Sequence, residues 1–408
     1  MSGSLLQMKF ERLRSLSLWL LGILGCVCKW DPAVCPKALV FAACLVPCFM
    51  ALHQIIKYGR VINNFFSLWY GPFFVLICFS LLYTANNIDA NDIVRRCALC
   101  FVIGFSASQL SHSPYDLKKI MEGLVVGACV TMLVTLKVES SLIGRGRLGD
   151  ITCGAATAYS GMLLVGIISL FVLNGIKKSR IYTAVELFLL AGIVLSGSRM
   201  PLLIAGLCFC FLKLLETGLT LKMFGNIIKI IAIVGCVGYA VMTNPVLYDV
   251  AGKRFESMLY SVEHGIDKEN DSSLNERREM KVEALKLWSS SPVFGRGVNS
   301  FWVLSPIRNG RASSHCGYTE ILCSFGALGL LLFYWPFFKP IKNHLGVKKN
   351  MATYLAFVLV VYLVMEWQGG YFDSCAHVLF LFILFQYIRF LNKEKEMQRR
   401  ELLVGEFE

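Results

Sequence analysis

Apolar runs long enough to cross a bilayer dominate this chain. Twelve can be drawn, at about 15–30, 37–56, 64–84, 93–110, 119–138, 154–176, 181–198, 200–218, 223–242, 317–338, 351–370 and 371–391. Each approaches the roughly 20 residues that a spanning helix needs. In lipid the backbone polar groups must be paired within the segment, which a helix achieves by itself. Composition excludes the soluble alternatives. Hydrophobic residues make up 56% of the 408 and charged residues 16%, against about a quarter charged in an ordinary soluble chain. That excess cannot be hidden in one soluble core. The expected fold class is all-α, a polytopic transmembrane protein of about 12 spans.

Charge orients these spans. Lys57 and Arg60, Lys118 and Lys119, Lys177, Lys178 and Arg180, Lys213 and Lys222, and Lys339, Lys342, Lys348 and Lys349 all fall on one side. Both termini share that side, which the positive-inside rule makes cytoplasmic. The net charge of +13 is therefore read as orientation, not as nucleic-acid binding. Lys9, Arg12 and Arg14 precede the first apolar run with no small-residue cleavage site after it, so that run reads as a retained span. The organisation expected is spans one to nine over 1–242, a large extracytoplasmic loop over 243–316, spans ten to twelve over 317–391, and a cytoplasmic tail over 392–408. The opposite face is expected to be extracytoplasmic.

Most of the 16 cysteines lie inside apolar runs, where thiols behave as small hydrophobes. Cys97 and Cys100 have a C-x-x-C spacing, but no second pair accompanies them and no zinc site is expected. Cys35, Cys153, Cys316 and Cys375 approach the outer face, and a disulfide among them stays open.

The outer face carries what orientation does not explain. The segment 243–316 has ten Lys or Arg and nine Asp or Glu, and a structureless loop of that length is uncommon. Within it Ser273-Leu-Asn-Glu276 has capping-box spacing. Met280, Ala284, Leu287 and Trp288 follow at helical spacing, and Pro292 stops the pattern. An amphipathic helix is expected over about 274–290. Arg277 shares its apolar face and Arg278 is displaced toward solvent. An arginine there either snorkels to water past Trp288 or meets an anion. Arg199, in Ser196-Gly-Ser-Arg199, sits outward at a junction between spans, where positive-inside pressure disfavours it. Arg147 lies in Gly144-Arg-Gly-Arg-Leu-Gly-Asp150, whose glycines would let backbone N–H groups approach an anion; an ordinary turn has the same composition. Arg254 is a weaker candidate. His315 stands where the long loop enters span ten, with Glu320 further along the same span.

Arginine grips phosphate oxygens in bidentate, charge-assisted bonds, and several suit a pyrophosphate. A lipid pyrophosphate leaves without a general acid if its charge is stabilised. The attacking sugar hydroxyl needs a base, a role open to His315. No carboxylate cluster on the outer face suggests a divalent metal. These residues favour metal-free glycosyl transfer, with no cofactor.

The motifs also resemble the O-antigen ligase and O-antigen polymerase superfamily of bacterial membrane glycosyltransferases. His315-Cys, nine residues, then Gly326-Ala-Leu-Gly329 is similar to that family's His-[Asn/Ser/Gln]-x9-Gly-x-x-Gly pattern, with Cys316 where a polar residue is usual. Ser196-Gly-Ser-Arg-Met-Pro-Leu203 is similar to its Ser-x-Ser-Arg-apolar junction, and Arg277 followed by Pro292-Val-Phe-Gly295-Arg-Gly297 to its outer-loop segment. The resemblance spans about 190–335. It implies a C-type-like architecture, an undecaprenyl-pyrophosphate-linked glycan donor, and inverting transfer without metal. It assigns Arg199 and Arg277 to the pyrophosphate and His315 to catalysis, and Arg147-Leu-Gly149 loosely fits an earlier loop pattern of the family; Arg147, Glu320 and Arg254 stand as auxiliary candidates, the last two by their positions alone. A glycan or lipid acceptor, membrane lipids and envelope polysaccharide assembly proteins are the implied partners. Leu330-Leu331 replaces the Thr-Leu common in ligases, which favours polymerisation of lipid-linked repeat units. Ligation to lipid A-core is the alternative, and a non-catalytic polysaccharide transporter the second.

Overall fold

The computed structural model describes residues 2–85, 89–142, 146–176, 179–217, 272–307, 313–344 and 350–405, with isolated positions between 225 and 260. Among them are thirteen α-helices and no strand. In chain order these are α1 (Ser2–Val27), α2 (Lys37–Tyr58), α3 (Phe65–Ser80), α4 (Ala90–Leu110), α5 (Pro114–Val138), α6 (Ala156–Ile176), α7 (Arg180–Leu195) and α8 (Arg199–Thr217). They continue with α9 (Ser272–Ser289), α10 (Ser300–Leu304), α11 (Gly317–His344), α12 (Met351–Glu366) and α13 (Cys375–Gly405). The all-helical class expected from the sequence holds.

The count of twelve spans is not reached among the described residues. Six helices are long and apolar enough to cross a membrane: α2, α4, α5, α6, α11 and α13. Two shorter apolar helices, α3 and α12, accompany them. α7 has only 16 residues. The described part of α8 carries Arg199, Lys213 and Glu216, and the front half of α1 carries Lys9, Glu11, Arg12 and Arg14. Most of the expected ninth span at 223–242, and most of the stretch 243–271 of the expected loop, lie outside the described residues. The expected spans 351–370 and 371–391 are separated by a non-helical link over 367–374, and that link matters for the site.

Packing follows the rules for helices in lipid, where small residues let backbones meet. α1 crosses α5 where Gly22 abuts Gly123: a Cβ on Gly123 would stand 2.1 Å from the Trp19 carbonyl oxygen. α13 is buried all round from Ala376 to Phe385, as a helix apolar on every face must be. It packs against an aromatic layer from α3 and α11. Trp69 stands 5.2 Å from Phe385 and Phe73 5.1 Å from Phe333, ring to ring. The Trp69 indole N–H donates to the Phe333 carbonyl at 2.8 Å. Offset and edge-on aromatic pairs of this kind add about 0.5–1.5 kcal/mol each beyond burial.

Candidate active site

α11 is broken at Gly326, whose φ of 66° and ψ of −165° lie outside helical space. The break frees backbone groups, and the segment after α9 satisfies them. Ala327 and Leu328 donate to the carbonyls of Pro292 and Val293 at 2.9 and 3.2 Å. Arg296 and Gly297 donate to those of Cys323 and Ser324 at 2.7 and 2.9 Å. The approach is so close that only glycine fits. A Cβ on Gly326 would stand 2.2 Å from the Val293 carbonyl oxygen, and one on Gly295 2.5 Å from the Phe325 nitrogen. The motif glycines thus dock α9 and its following loop onto α11. Gly326→Ala should cost about 1–3 kcal/mol for a backbone conformation that is essentially glycine's alone, with the clash in addition. A lowered thermal midpoint of the purified protein checks it; an unchanged midpoint would mean that the docked loop is not held this way.

α9 then presents Arg277. Met280 and Ala284 are buried against Phe301 and Cys323. Arg277 is half-buried and Arg278 exposed, matching the helical phase read from the sequence. The Ser273 side chain, and with it the capping box, lies outside the described residues. One turn beyond Arg277, the Lys281 Nζ sits 4.7 Å over the Trp367 ring centroid. Burial and then the nearby Arg277 pull the Lys281 pKa down.

His315 is placed by the start of α11. Its φ of 52° is uncommon for a residue with a side chain. Flanking bonds impose it. The Ser314 N–H donates to Glu320 Oε2 at 2.8 Å, the Ser314 hydroxyl to the Cys316 carbonyl at 3.0 Å, and the Thr319 hydroxyl to Ser314 Oγ at 3.0 Å. Glu320 therefore holds the backbone of the turn.

A third piece comes from the loop between α5 and α6. The buried Glu139 carboxylate accepts from the N–H groups of Gly149 and Thr152 and from the Thr152 hydroxyl, at 2.6 to 2.7 Å. The Gly149 N–H is thus consumed internally and is not offered to an anion; Gly144 of the same loop lies outside the described residues. The turn instead presents Arg147, whose Nε donates to the Ser196 carbonyl at 3.1 Å and whose Nη2 donates to Ser198 Oγ at 3.2 Å. The Ser196-Gly-Ser198 junction is clamped to it.

These pieces surround one cavity of about 420 Å³. Arg147, Arg277 and His315 line it, together with Lys29, Asp150, Glu276 and the link between α12 and α13. Arg199 opens α8 one residue past Ser198 and is half-buried. Arg199, Glu320 and Arg278 are not among the described lining residues. Arg254 lies outside the described residues.

The sequence reading did not single out Lys29, Gln368, Tyr371, Ser374 or His377, all of which line the cavity. Only the break at 367–374 brings the last four there, and a continuous apolar run hides that break. Asp373, in the same link, bonds Arg96 Nε at 2.8 Å. Burial pushes its carboxyl up, but Lys29 and Arg96 outweigh that and the pKa is lowered. Among the described residues no three His, Cys, Asp or Glu side chains are grouped to hold a metal ion. Cys35, Cys153, Cys316 and Cys375 are free thiols, so the disulfide left open above does not form among them.

No curated protein matches the chain. The stretch holding Arg199, Arg277, His315, Gly326 and Gly329 does match a family model. That model is described as O-antigen ligase, and residues 184–334 of this helical membrane protein are similar to it.

Proposed function

We propose that the protein polymerises lipid-linked polysaccharide repeat units by metal-independent, inverting glycosyl transfer from an undecaprenyl-pyrophosphate donor, on the outer face of the bacterial cytoplasmic membrane. The observation that carries this reading is the meeting of Arg147, Arg277 and His315 on one cavity. Arg277 and Arg147 hold the pyrophosphate oxygens, with Arg199 supporting them from the start of α8. The acceptor hydroxyl attacks the anomeric carbon. The bond from that carbon to the pyrophosphate oxygen breaks, and the lipid pyrophosphate leaves with the electron pair. The hydroxyl proton passes to the His315 imidazole. The arginines meet the charge that grows on the leaving group, where fixed donors lower the barrier most.

Ligation of the finished glycan to lipid A-core is a second reading, supported by the description of the matching family. It shares the donor and the chemistry and differs in acceptor.

Intact spheroplasts supplied with a membrane-impermeant oligosaccharide acceptor should extend it without lysis. The purified protein should go on transferring in EDTA, because the cavity offers arginines where a metal enzyme would offer a carboxylate cluster. Transfer only after lysis would reverse the orientation. Loss in EDTA with recovery on Mg²⁺ or Mn²⁺ would overturn the mechanism.

A further inference from the structure

The cavity has a second wall, formed by the α12–α13 link and the first turn of α13, outside the stretch that matches the family. His377 is its centre. The residue is 2% exposed. Its Nδ1 lies 2.9 Å from Ser374 Oγ, and its Nε2 has no hydrogen-bond partner among the described residues. Tyr371 stacks on the ring with centroids 4.2 Å apart and planes 19° from parallel, which sets the imidazole plane. On α6, Gly161 leaves the ring edge clear: a Cβ there would stand 3.3 Å from Nε2. Buried polar atoms in native proteins are rarely left unpaired. An oriented one on a side chain that lines a cavity is suited to a ligand atom.

The chemistry of this wall differs from that of the arginine side. Gln368, Tyr371, Ser374 and His377 bring neutral hydrogen-bonding groups. Lys29 is the cation nearby, and its charge is met by Asp373, itself bonded to Arg96. Such a wall suits sugar hydroxyls, which donate and accept without charge, rather than phosphate oxygens. The volume falls in the range of about 300–1,000 Å³ usual for small-molecule sites.

We propose that this wall binds the acceptor sugar, with His377 Nε2 hydrogen-bonded to one of its hydroxyls while the arginines hold the donor. This rests on the glycosyl-transfer reading. His377 is then a binding residue, and its loss weakens acceptor capture without touching the lipid pyrophosphate.

The test uses full-length protein in lipid nanodiscs. Undecaprenyl pyrophosphate serves as the binding probe for the donor side. The acceptor probe is the repeat-unit oligosaccharide released by mild acid from the host's own lipid-linked intermediate, titrated at saturating donor. His377→Ala should raise the half-saturating acceptor concentration at least about tenfold, the scale of one good hydrogen bond in a buried site. Its affinity for undecaprenyl pyrophosphate should stay within about twofold. His377→Gln, which keeps a polar end, should recover part of the loss. Gly161→Ala keeps the imidazole but crowds it, and should raise the acceptor value severalfold; it carries the test if His377→Ala does not fold. Unchanged acceptor half-saturation in His377→Gln and Gly161→Ala, beside an active wild type, would overturn the assignment alone. Loss of undecaprenyl-pyrophosphate affinity in His377→Gln would move the residue to the donor site and overturn it too. A wild-type protein that binds no undecaprenyl pyrophosphate would instead sink the glycosyl-transfer reading, and this assignment with it.

Discussion

His315→Ala should lower transfer by about 10² to 10⁴, the usual cost of losing a general base, while undecaprenyl-pyrophosphate binding stays nearly intact. His315 lines the same cavity as Arg147 and Arg277, and in this mechanism those arginines hold the donor. Its backbone is held at a φ of 52° by Ser314, Thr319 and Glu320, and strain of this kind persists where the surroundings impose it. Glu320 is the obvious rival for the proton, but it is engaged by the Ser314 N–H at 2.8 Å and is not among the lining residues. Glu320→Gln keeps an oxygen that can accept that N–H, so its loss in rate should be far smaller than that of His315→Ala. Single-turnover transfer and donor binding, measured in one preparation for both variants, decide it. A His315→Ala protein that transfers at the wild-type rate, or that fails only because it no longer binds donor, would remove the base assignment.

Arg277→Ala should cost about 10² to 10³ in transfer, the scale of removing one donor aimed at developing charge. Arg277→Lys should recover only part, since lysine keeps the charge without the planar fork. Arg278→Ala should be close to wild type, because Arg278 is exposed and away from the cavity. Arg147→Ala should lose donor affinity and also loosen the α7–α8 junction, whose Ser196 carbonyl and Ser198 hydroxyl it binds. Comparing that variant with Arg199→Ala separates the two effects: thermal stability falls in the first, and donor affinity in both. An active Arg277→Ala beside a dead Arg278→Ala would show that α9 faces the other way in the working protein.

Much of the site was legible because its signals are local. The helix that carries Arg277 follows from the spacing of Met280, Ala284 and Leu287 and from the stop at Pro292, and a helical phase can be computed from sequence alone. The membrane class follows from composition, because a surface cannot be built from so few charges. Arg147, Arg277 and His315 stood out because polar groups beside spans are costly without a use.

What the sequence could not decide is what long-range contact decides. Whether a glycine loop offers its N–H groups to an anion depends on Glu139, which claims Gly149 and Thr152 from the end of α5. The break at Gly326 is invisible in an apolar run, because its hydrogen bonds are made by Pro292, Val293, Arg296 and Gly297 across the fold. His377 reads as one polar residue in a span until the link at 367–374 swings it to the cavity. Sequence alone determined the membrane class and the all-helical fold, and it singled out Arg147, Arg277 and His315 as candidates. Tertiary structure determined which of them share a cavity, because backbone pairing between distant segments leaves no periodic trace in the chain.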